Sequence, residues 1–186
     1  MQPDKEIEVR FLEIDKDGLI EKLVELGAKD KGEALLEEMI IYDEDFKWLE
    51  ERKFIRLRKT GGQTRLAYKH HDDLGKGEAT DIEFGVDDFD KAIVFFSALG
   101  YIPYRRQEKR RHTFKGLDVN FDIDTWPRIP PYVEIEGPSL AAIRAAAEAV
   151  GLDWSKANFH DARWIIENVY KIPVGKMRWF TFDRFE

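Results

Sequence analysis

The sequence predicts an α+β fold in which antiparallel strands carry most of the structure. Segments in which apolar and charged residues alternate, as they do in half-buried strands, recur along the chain and begin with residues 6–11. Two such segments, residues 52–60 and 64–73, are separated by a glycine-rich turn at residues 61–63, which is typical of a β-hairpin. Helical segments are few and do not alternate with single strands, so a parallel α/β sheet is not indicated.

The predicted elements follow the order strand, helix, four strands, helix and three strands. After the first strand, Asp15 is a helix N-cap, the apolar residues from 19 to 26 have helical spacing, and Gly27 ends the helix. A second amphipathic helix is expected over residues 87–100. The remaining strands are expected within residues 33–45, 52–60, 64–73, 77–86, 101–116, 117–126 and 131–137.

The chain becomes helical again after residue 137. Pro138 begins an alanine-rich helix that ends at Gly151, residues 159–172 have a helical pattern, and residues 175–186 form a final strand or a covering tail. No linker or low-complexity tract interrupts the chain, and 186 residues suit one domain better than two. We therefore expect a single domain over residues 1–186.

Composition argues against several classes of protein. The chain has no cysteine, which rules out disulfides, thiolate metal sites and cysteine nucleophiles. Its formal charge of −7 argues against a nucleic-acid-binding protein, whose binding domain is normally basic. The N-terminal residues lack the apolar region of a signal peptide, and no apolar run is long enough to span a bilayer. We expect a cytoplasmic protein that binds neither nucleic acid nor membrane.

Charged residues occupy one face of nearly every predicted strand, while the positions between them are largely apolar. The charged positions are Glu6, Glu8, Arg10, Arg56, Arg58, Arg65, Lys69, Asp81, Glu83, Arg105, Lys109, Arg111, Asp122, Asp124, Glu134 and Glu136. These faces are either exposed to water, with ordinary surface ion pairs, or they face one another across a closed barrel. In the second arrangement they line a polar tunnel.

The residue types on these faces indicate the kind of ligand that a tunnel would hold. Buried charges are unfavourable unless they pair with one another, stay hydrated or bind a charged ligand. Clustered arginine and lysine suit a polyanion with several phosphates, and clustered carboxylates suit a hard divalent cation such as Mg²⁺ or Mn²⁺. Together they are typical of a site for a metal–phosphate complex.

The ordered motifs resemble those of one family. Residues 6–10, EIEVR, resemble the ExExK signature that opens the CYTH domain of the triphosphate tunnel metalloenzymes. That family includes class IV adenylate cyclases, thiamine triphosphatases and inorganic triphosphatases. The segments FIRLRK, LAYK, TDIEF, EKRRHTF and DTWPRIPPYVEIEG follow in the family's order, so that the resemblance spans residues 6–137.

The resemblance implies an eight-stranded antiparallel β-barrel that forms a tunnel, with helices packed outside it and residues from about 138 to 186 covering it. It implies a divalent metal, Mg²⁺ or Mn²⁺, held by Glu6, Glu8, Asp124, Glu134 and Glu136. It implies phosphate contacts from Arg10, Arg56, Arg58, Lys69, Lys109 and Arg111. Asp81, Glu83 and Asp122 are expected to orient basic residues or water, and Arg10 and Asp124 are expected to be catalytic.

Arg10 departs from the family motif, which has Lys at this position. A guanidinium gives up a proton far less readily than an ammonium group in a cationic tunnel. If the motif Lys is a base toward water, hydrolysis here is impaired or depends on the metal. If it only neutralises phosphate charge, Arg10 is a serviceable replacement.

The sequence therefore predicts a metal-dependent enzyme that processes triphosphates, with hydrolysis of an inorganic or organic triphosphate as the first hypothesis. A class IV-type adenylate cyclase, which converts ATP to cyclic AMP and pyrophosphate, is the close alternative. A non-catalytic triphosphate- or nucleotide-binding module is the third. Inorganic triphosphate, ATP and thiamine triphosphate are the candidate ligands, and the protein is expected to be a monomer or a homodimer.

Overall fold

The computed structural model of the chain describes residues 4–70 and 78–186, with side chains for residues 7–70 and 80–186. The strands are β1 (Asp4–Phe11), β2 (Lys29–Tyr42), β3 (Lys53–Thr60), β4 (Gln63–His70), β5 (Glu78–Val86), β6 (Ile102–Gly116), β7 (Val119–Thr125), β8 (Tyr132–Glu136) and β9 (Trp179–Phe180). The helices are α1 (Lys16–Glu25), α2 (Lys47–Glu50), α3 (Phe89–Ala98), α4 (Leu140–Ala149) and α5 (Ala162–Asn168). Short 3-10 helices lie at Trp154–Lys156 and Val174–Lys176.

Strands β1 to β8 close into an antiparallel barrel. Each strand is hydrogen-bonded to the next in the order β2-β3-β4-β5-β1-β8-β7-β6, and β6 pairs with β2 to complete the ring. The β2–β6 pairing extends from Lys29 opposite Lys115 to Tyr42 opposite Ile102. The short strand β9 pairs in parallel with β6 at Arg106, beyond the end of the β6–β7 pairing.

The strand register brings opposite charges together inside the barrel. Side chains directly opposite each other in a sheet point to the same face. The opposed pairs of opposite sign are Arg10 and Glu134, Glu38 and Arg58, Lys69 and Asp81, and Arg111 and Asp124. The predicted eight-stranded barrel with a charged interior is therefore confirmed, and the alternative of separate charged faces in water is wrong.

Helices α1 and α4 cover one side of the barrel. The outward-facing Phe121 and Ile135 are fully buried in an apolar cluster with Leu23 of α1 and Ile143 of α4. Helix α1 begins where the sequence predicts, because the side chain of Asp15 accepts a hydrogen bond from the first turn. The apolar half of each strand thus forms the core outside the barrel, and the charged half lines its interior.

Helix α3 covers another part of the outer surface, and the C-terminal segment packs against residues that line a cavity inside the barrel. Ile41 and Leu57 pack with Phe96 of α3, and Trp126 packs with Phe180 in a separate cluster that includes residues of α5. Within residues 4–70 and 78–186, no helix has the length and apolar character needed to cross a bilayer. These contacts agree with a C-terminal segment that covers the barrel.

The predicted order of strands and helices is confirmed, with differences at a few boundaries. Strand β2 begins at Lys29 rather than at residue 33, and the single turn α2 was not predicted. Helix α4 has Ser139 as its N-cap, so that Pro138 precedes the helix and does not begin it. Gly61 and Gly62 both have positive φ, as the tight hairpin turn requires. Residues 71–73 and 77 of the predicted strands lie outside the described residues.

Packing of α1 on the barrel generates a stability prediction. We expect Leu23→Ala to lower the free energy of unfolding by about 3 kcal/mol, because the Leu23 side chain is fully buried. The matched control is Val24→Ala, since Val24 is 58% exposed, and we expect it to change that free energy by less than about 0.5 kcal/mol. Urea denaturation followed by tryptophan fluorescence measures both variants, and equal losses would contradict this packing.

Candidate active site inside the barrel

A cavity of about 720 Å³ lies inside the barrel. Side chains of β1 to β6 and of β8 line it, and residues of α2 and α5 line one end. Pockets that hold small organic ligands have volumes of about 300–1,000 Å³, so the cavity is large enough for a triphosphate with an organic group. The residues of the predicted site that line it are Glu8, Arg10, Arg56, Arg58, Lys69, Asp81, Glu83, Lys109, Arg111, Glu134 and Glu136.

The cations that line the cavity, Arg56, Arg58, Lys69, Lys109 and Arg111, form a basic wall. Glu38, on β2, holds part of this wall in place. Arg58 Nε donates a hydrogen bond to Glu38 Oε1 at 2.7 Å, and Gln107 Nε2 donates to Glu38 Oε2 at 2.6 Å. Burial opposes ionisation of Glu38, but the guanidinium groups of Arg58 and Arg56 outweigh it and hold its pKa well below the usual range. Burial, with the neighbouring charge of Arg56, lowers the pKa of Arg58. Glu38 is therefore an ionised carboxylate that positions Arg58.

Lys109 and Arg111, on β6, are held from behind by Asp124 on β7. Lys109 Nζ lies 2.7 Å from Asp124 Oδ2, and Arg111 donates from Nε to Oδ1 at 2.6 Å and from Nη2 to Oδ2 at 2.7 Å. Arg111 Nη1 also donates to Asp122 Oδ2 at 2.5 Å. Since Asp124 is fully buried behind the two cations, its role in this arrangement is to orient them.

The same surroundings change the proton affinity of both cations. Burial and the charge of Arg111 lower the pKa of Lys109, even though Asp124 pairs with it. Burial opposes the charge on Arg111, but Asp124, Asp122 and Glu134 outweigh it and raise its pKa well above the usual value. Arg111 is thus a fixed positive charge, whereas Lys109 loses its proton more readily than an exposed lysine.

Arg10 joins two of the carboxylates that line the cavity. Its Nη2 lies 2.5 Å from Glu8 Oε1 and 2.6 Å from Glu134 Oε2. Burial opposes the charge on Arg10, but Glu134 and Glu8 outweigh it and raise its pKa well above the usual value. Burial also opposes ionisation of Glu134, yet Arg10 and Arg111 hold its pKa well below the usual range. Arg10 is therefore a fixed positive charge at neutral pH.

Glu136 has the opposite electrostatic environment. It lies directly across from Glu8 in the β1–β8 register. Burial and the nearby charges of Glu134 and Glu8 raise the pKa of Glu136. Within the described residues, no cationic side chain forms an ion pair with Glu136. Negative charge thus accumulates where the ends of β1 and β8 meet.

The β4–β5 side of the cavity contains two more sets of ion pairs. Lys69 Nζ lies 2.5 Å from Asp81 Oδ2. Glu83 accepts from Arg56 Nη2 at 3.0 Å and from Arg65 Nε at 2.5 Å. Asp81 and Glu83 thus each contact basic residues of the cavity, and their role in orienting those residues stays a prediction.

The C-terminal segment is attached to the barrel over one end of the cavity. Asp161 caps α5 by accepting a hydrogen bond from Trp164 N at 2.9 Å, and it also forms an ion pair with Arg52 at the start of β3. The ring of His160 stacks on that of Trp164 with centroids 3.7 Å apart. Asp161 and Trp164 line the cavity, so that the C-terminal segment forms part of its wall.

The acidic residues predicted to hold a metal suit a divalent cation in their chemistry, but three of them are engaged in ion pairs. Carboxylate oxygens are the ligands that Mg²⁺ and Mn²⁺ prefer, and the raised pKa of Glu136 beside Glu8 indicates local excess negative charge. Glu8, Glu134 and Asp124 are paired with cations. Among the described side chains, no three acidic or histidine residues form a ready metal cluster. The Glu6 side chain lies outside the described residues.

Sequence reasoning missed several residues of this site. Glu38 and Gln107 lie in the basic wall, and Arg52 and Asp161 join the C-terminal segment to the cavity. Glu37 and Glu38 are adjacent and residues 39–42 are apolar at every position, so alternation along β2 does not show which of the two glutamates points inward. The contacts of Arg52 with the C-terminal segment link residues more than a hundred positions apart and leave no local pattern.

The sequence and the fold both match a known family. The sequence model of the CYTH domain family matches residues 4–149 of the chain. The chain belongs to the CYTH domain family. Among solved structures, a protein of Pyrococcus horikoshii OT3 has a TM-score of 0.73 and 26% sequence identity, covering 84% of this chain and 96% of that chain. No protein among those with curated functions matches the sequence significantly.

Two further structures with the same fold are described in terms of activity. A putative adenylate cyclase from Vibrio parahaemolyticus has a TM-score of 0.76 and 14% identity, covering 89% of this chain and 99% of that chain. A putative adenylyl cyclase from Hippeastrum, described as having a dominant triphosphatase activity, has a TM-score of 0.61 and 9% identity, covering 89% and 95%. The CYTH fold of this chain thus has neighbours of both kinds, at identities that establish the fold alone.

The position of Glu136 generates a pH-dependent prediction. The pKa of Glu136 is higher in the folded than in the unfolded chain, so protonation of Glu136 favours the folded state. This stabilisation is fully present below the pKa of the unfolded chain and is lost as pH rises through the pKa of the folded chain. We expect Glu136→Gln to raise the melting temperature in chelator by about 2 °C at neutral pH, and by less near pH 4. Differential scanning calorimetry at both pH values measures this, and a gain independent of pH would contradict it.

The burial of Glu38 generates a second stability prediction. We expect Glu38→Ala to lower the free energy of unfolding by about 3 kcal/mol at neutral pH, because it leaves Arg58 buried without its carboxylate. The control is Glu37→Ala, since Glu37 is the adjacent residue and is exposed. Urea denaturation of both variants measures the difference. A loss no greater for Glu38→Ala than for Glu37→Ala would show that the buried ion pair does not stabilise the barrel.

Proposed function

We propose that this protein is a divalent-metal-dependent enzyme that hydrolyses the terminal phosphoryl group of a triphosphate. The observation that carries the proposal is the set of cations that converge on one cavity inside a closed barrel. Arg56, Arg58, Lys69, Lys109 and Arg111 all line it, and each contacts a carboxylate that orients it. An extended polyanion with several phosphates matches this arrangement better than a single phosphate does.

The cations act by positioning and by neutralising charge. Phosphoryl transfer to water breaks the bond between the terminal phosphorus and its bridging oxygen, and negative charge moves onto the departing diphosphate. Arg58 and Arg111 have their guanidinium groups fixed by Glu38 and by Asp124, so they require little reorganisation as that charge develops. A bound divalent metal supplies a Lewis acid that neutralises phosphate oxygens.

Arg10 belongs among the charge-neutralising residues in this proposal. Its pKa is raised well above the usual value by Glu134 and Glu8, which outweigh its burial, so it does not accept a proton from water. Of the two roles open to this motif position, neutralisation is therefore the one that its environment supports. Asp124 supports catalysis by holding Lys109 and Arg111, and its role as a metal ligand stays a prediction.

The covered end of the cavity favours an organic triphosphate and keeps the adenylate cyclase as the second candidate. Tyr42, Phe54, Trp126 and Trp164 line the cavity together with the charged residues. Aromatic side chains of this kind pack against the ring of a nucleotide or of thiamine, whereas inorganic triphosphate has no apolar part. In a cyclase the ribose 3′ hydroxyl would replace water as the attacking group, and pyrophosphate would leave.

One assay distinguishes these activities. Purified protein is given inorganic triphosphate, thiamine triphosphate or ATP with Mg²⁺, Mn²⁺ or a chelator, and phosphate, pyrophosphate and cyclic AMP are all quantified. We expect phosphate release that disappears in chelator. Cyclic AMP with an equal amount of pyrophosphate would instead identify a cyclase, and saturable binding without any product would identify a binding module.

The basic wall generates a prediction for substrate affinity. We expect Arg58→Ala to raise KM for the preferred triphosphate by about tenfold or more, because it removes a charge-assisted hydrogen bond to phosphate. The control is Lys59→Ala, since Lys59 is the next residue and is exposed. We expect Glu8→Ala to lower kcat and abolish the response to metal. Steady-state kinetics of the three variants measure this, and normal KM in Arg58→Ala would argue against phosphate binding in this cavity.

A further inference from the structure

Arg10 occupies the position between two carboxylates that a divalent cation would be expected to fill. One guanidinium nitrogen, Nη2, contacts both Glu8 and Glu134, at 2.5 and 2.6 Å. Only 4% of the Arg10 surface is exposed, so water does little to screen these contacts. With Arg10 in place, Glu8 and Glu134 share a cation that belongs to the chain, and Glu134 also accepts from Arg111 Nη2 at 3.0 Å.

The C-terminal segment fixes Arg10 in this position. Arg10 N donates to Asn158 O at 2.8 Å, and Asn158 N donates to Arg10 O at 2.8 Å. The second guanidinium nitrogen, Nη1, donates to the main-chain oxygen of His160 at 2.8 Å. The side chain therefore has one nitrogen on the carboxylates and the other on residues that cover the barrel, which restricts its rotamers.

A lysine at this position could not make the same set of contacts. A guanidinium is planar and presents five N–H donors in a fixed arrangement, while an ammonium group is a compact charge at the end of a flexible chain. Arg10 uses that arrangement to hold two carboxylates and a carbonyl at once. The departure from the family motif thus has a structural consequence for the carboxylates as well as for the phosphates.

We propose that Arg10 is an internal counter-cation that sets the affinity of the barrel for divalent metal. Its guanidinium neutralises Glu8 and Glu134 in the metal-free protein and has to release them before their oxygens bind a metal. Once Arg10 releases them, Glu8 and Glu136 lie opposite each other on adjacent strands, beside Glu134, whose other cation is Arg111. This excess of negative charge favours a cation of higher charge. The inference rests on the metal dependence proposed above and gives this position a role distinct from phosphate binding.

The test measures Mn²⁺ binding by electron paramagnetic resonance in the absence of any phosphate compound. We expect Arg10→Gln to bind Mn²⁺ about tenfold more tightly than the wild-type protein, because the competing cation is gone. Arg110→Gln makes the same chemical change at an exposed residue of β6, and we expect wild-type affinity for it. Arg10→Lys keeps a positive charge between the carboxylates and is expected to bind less tightly than Arg10→Gln. Unchanged or weaker Mn²⁺ binding by Arg10→Gln would overturn the proposal.

A second measurement uses wild-type protein, in which Arg10 keeps its charge. It tests the proposal even if Arg10→Gln fails to fold. In wild-type protein labelled with ¹⁵N-arginine, the Nε signal of Arg10 is assigned from its absence in Arg10→Lys and followed during titration with Mg²⁺. We expect that signal to shift in parallel with metal saturation. Saturation with Mg²⁺ that leaves it unmoved would also overturn the proposal.

The two proposals fail separately. Neither binding measurement contains a triphosphate or depends on turnover. Protein whose Arg10→Gln variant binds Mn²⁺ more tightly, but which releases no phosphate from any triphosphate, would refute the proposed hydrolysis alone. Protein that hydrolyses triphosphate with metal, but whose Mn²⁺ affinity is unaffected by Arg10→Gln, would refute the counter-cation role alone.

Discussion

The mutual neutralisation of charges inside the barrel is the interaction on which the rest of the structure depends. A closed ring of strands has only one interior, and here it receives arginine, lysine, aspartate and glutamate from nearly every strand. Isolated charges in such a place would be strongly unfavourable. They are tolerated because each cation of the basic wall lies against a carboxylate, as Arg58 does against Glu38 and Lys109 against Asp124. A ligand that enters this cavity has to exchange partners with groups that are already paired.

The pairing also divides the carboxylates by task. Asp122 and Asp124 lie behind Arg111 and make the basic wall rigid. Glu136 lies beside other negative groups and has no cation of its own among the described residues. The first kind of carboxylate lowers the energy needed to hold cations together, and the second leaves negative charge that its described neighbours do not balance. Both kinds occur as Asp or Glu at alternate strand positions, and only their neighbours across the sheet distinguish them.

Alternation along the strands made most of the fold and much of the site predictable from sequence. The inward-facing residues of β1, β3 and β8 stand out because an apolar residue separates each pair of charges. In β2, residues 39–42 are apolar on both faces, so the strand reads as a continuous apolar run and the inward direction of Glu38 is hidden. The pairing of Asp161 with Arg52 depends on how the chain returns after α4, and no local pattern encodes that path.

The pairing of β1 with β8 has a consequence for how the chain folds. These strands are neighbours in the ring, yet β1 begins at Asp4 and β8 ends at Glu136, so most of the chain lies between them. Bringing such distant segments together costs conformational entropy before the contacts between them form and compensate for it. Folds dominated by such pairings therefore form slowly. On the ribosome, the growing sheet keeps an unpaired edge until β8 has emerged. An unpaired edge is a template for pairing with other chains, so the chain is most exposed to aggregation in the interval before the ring closes.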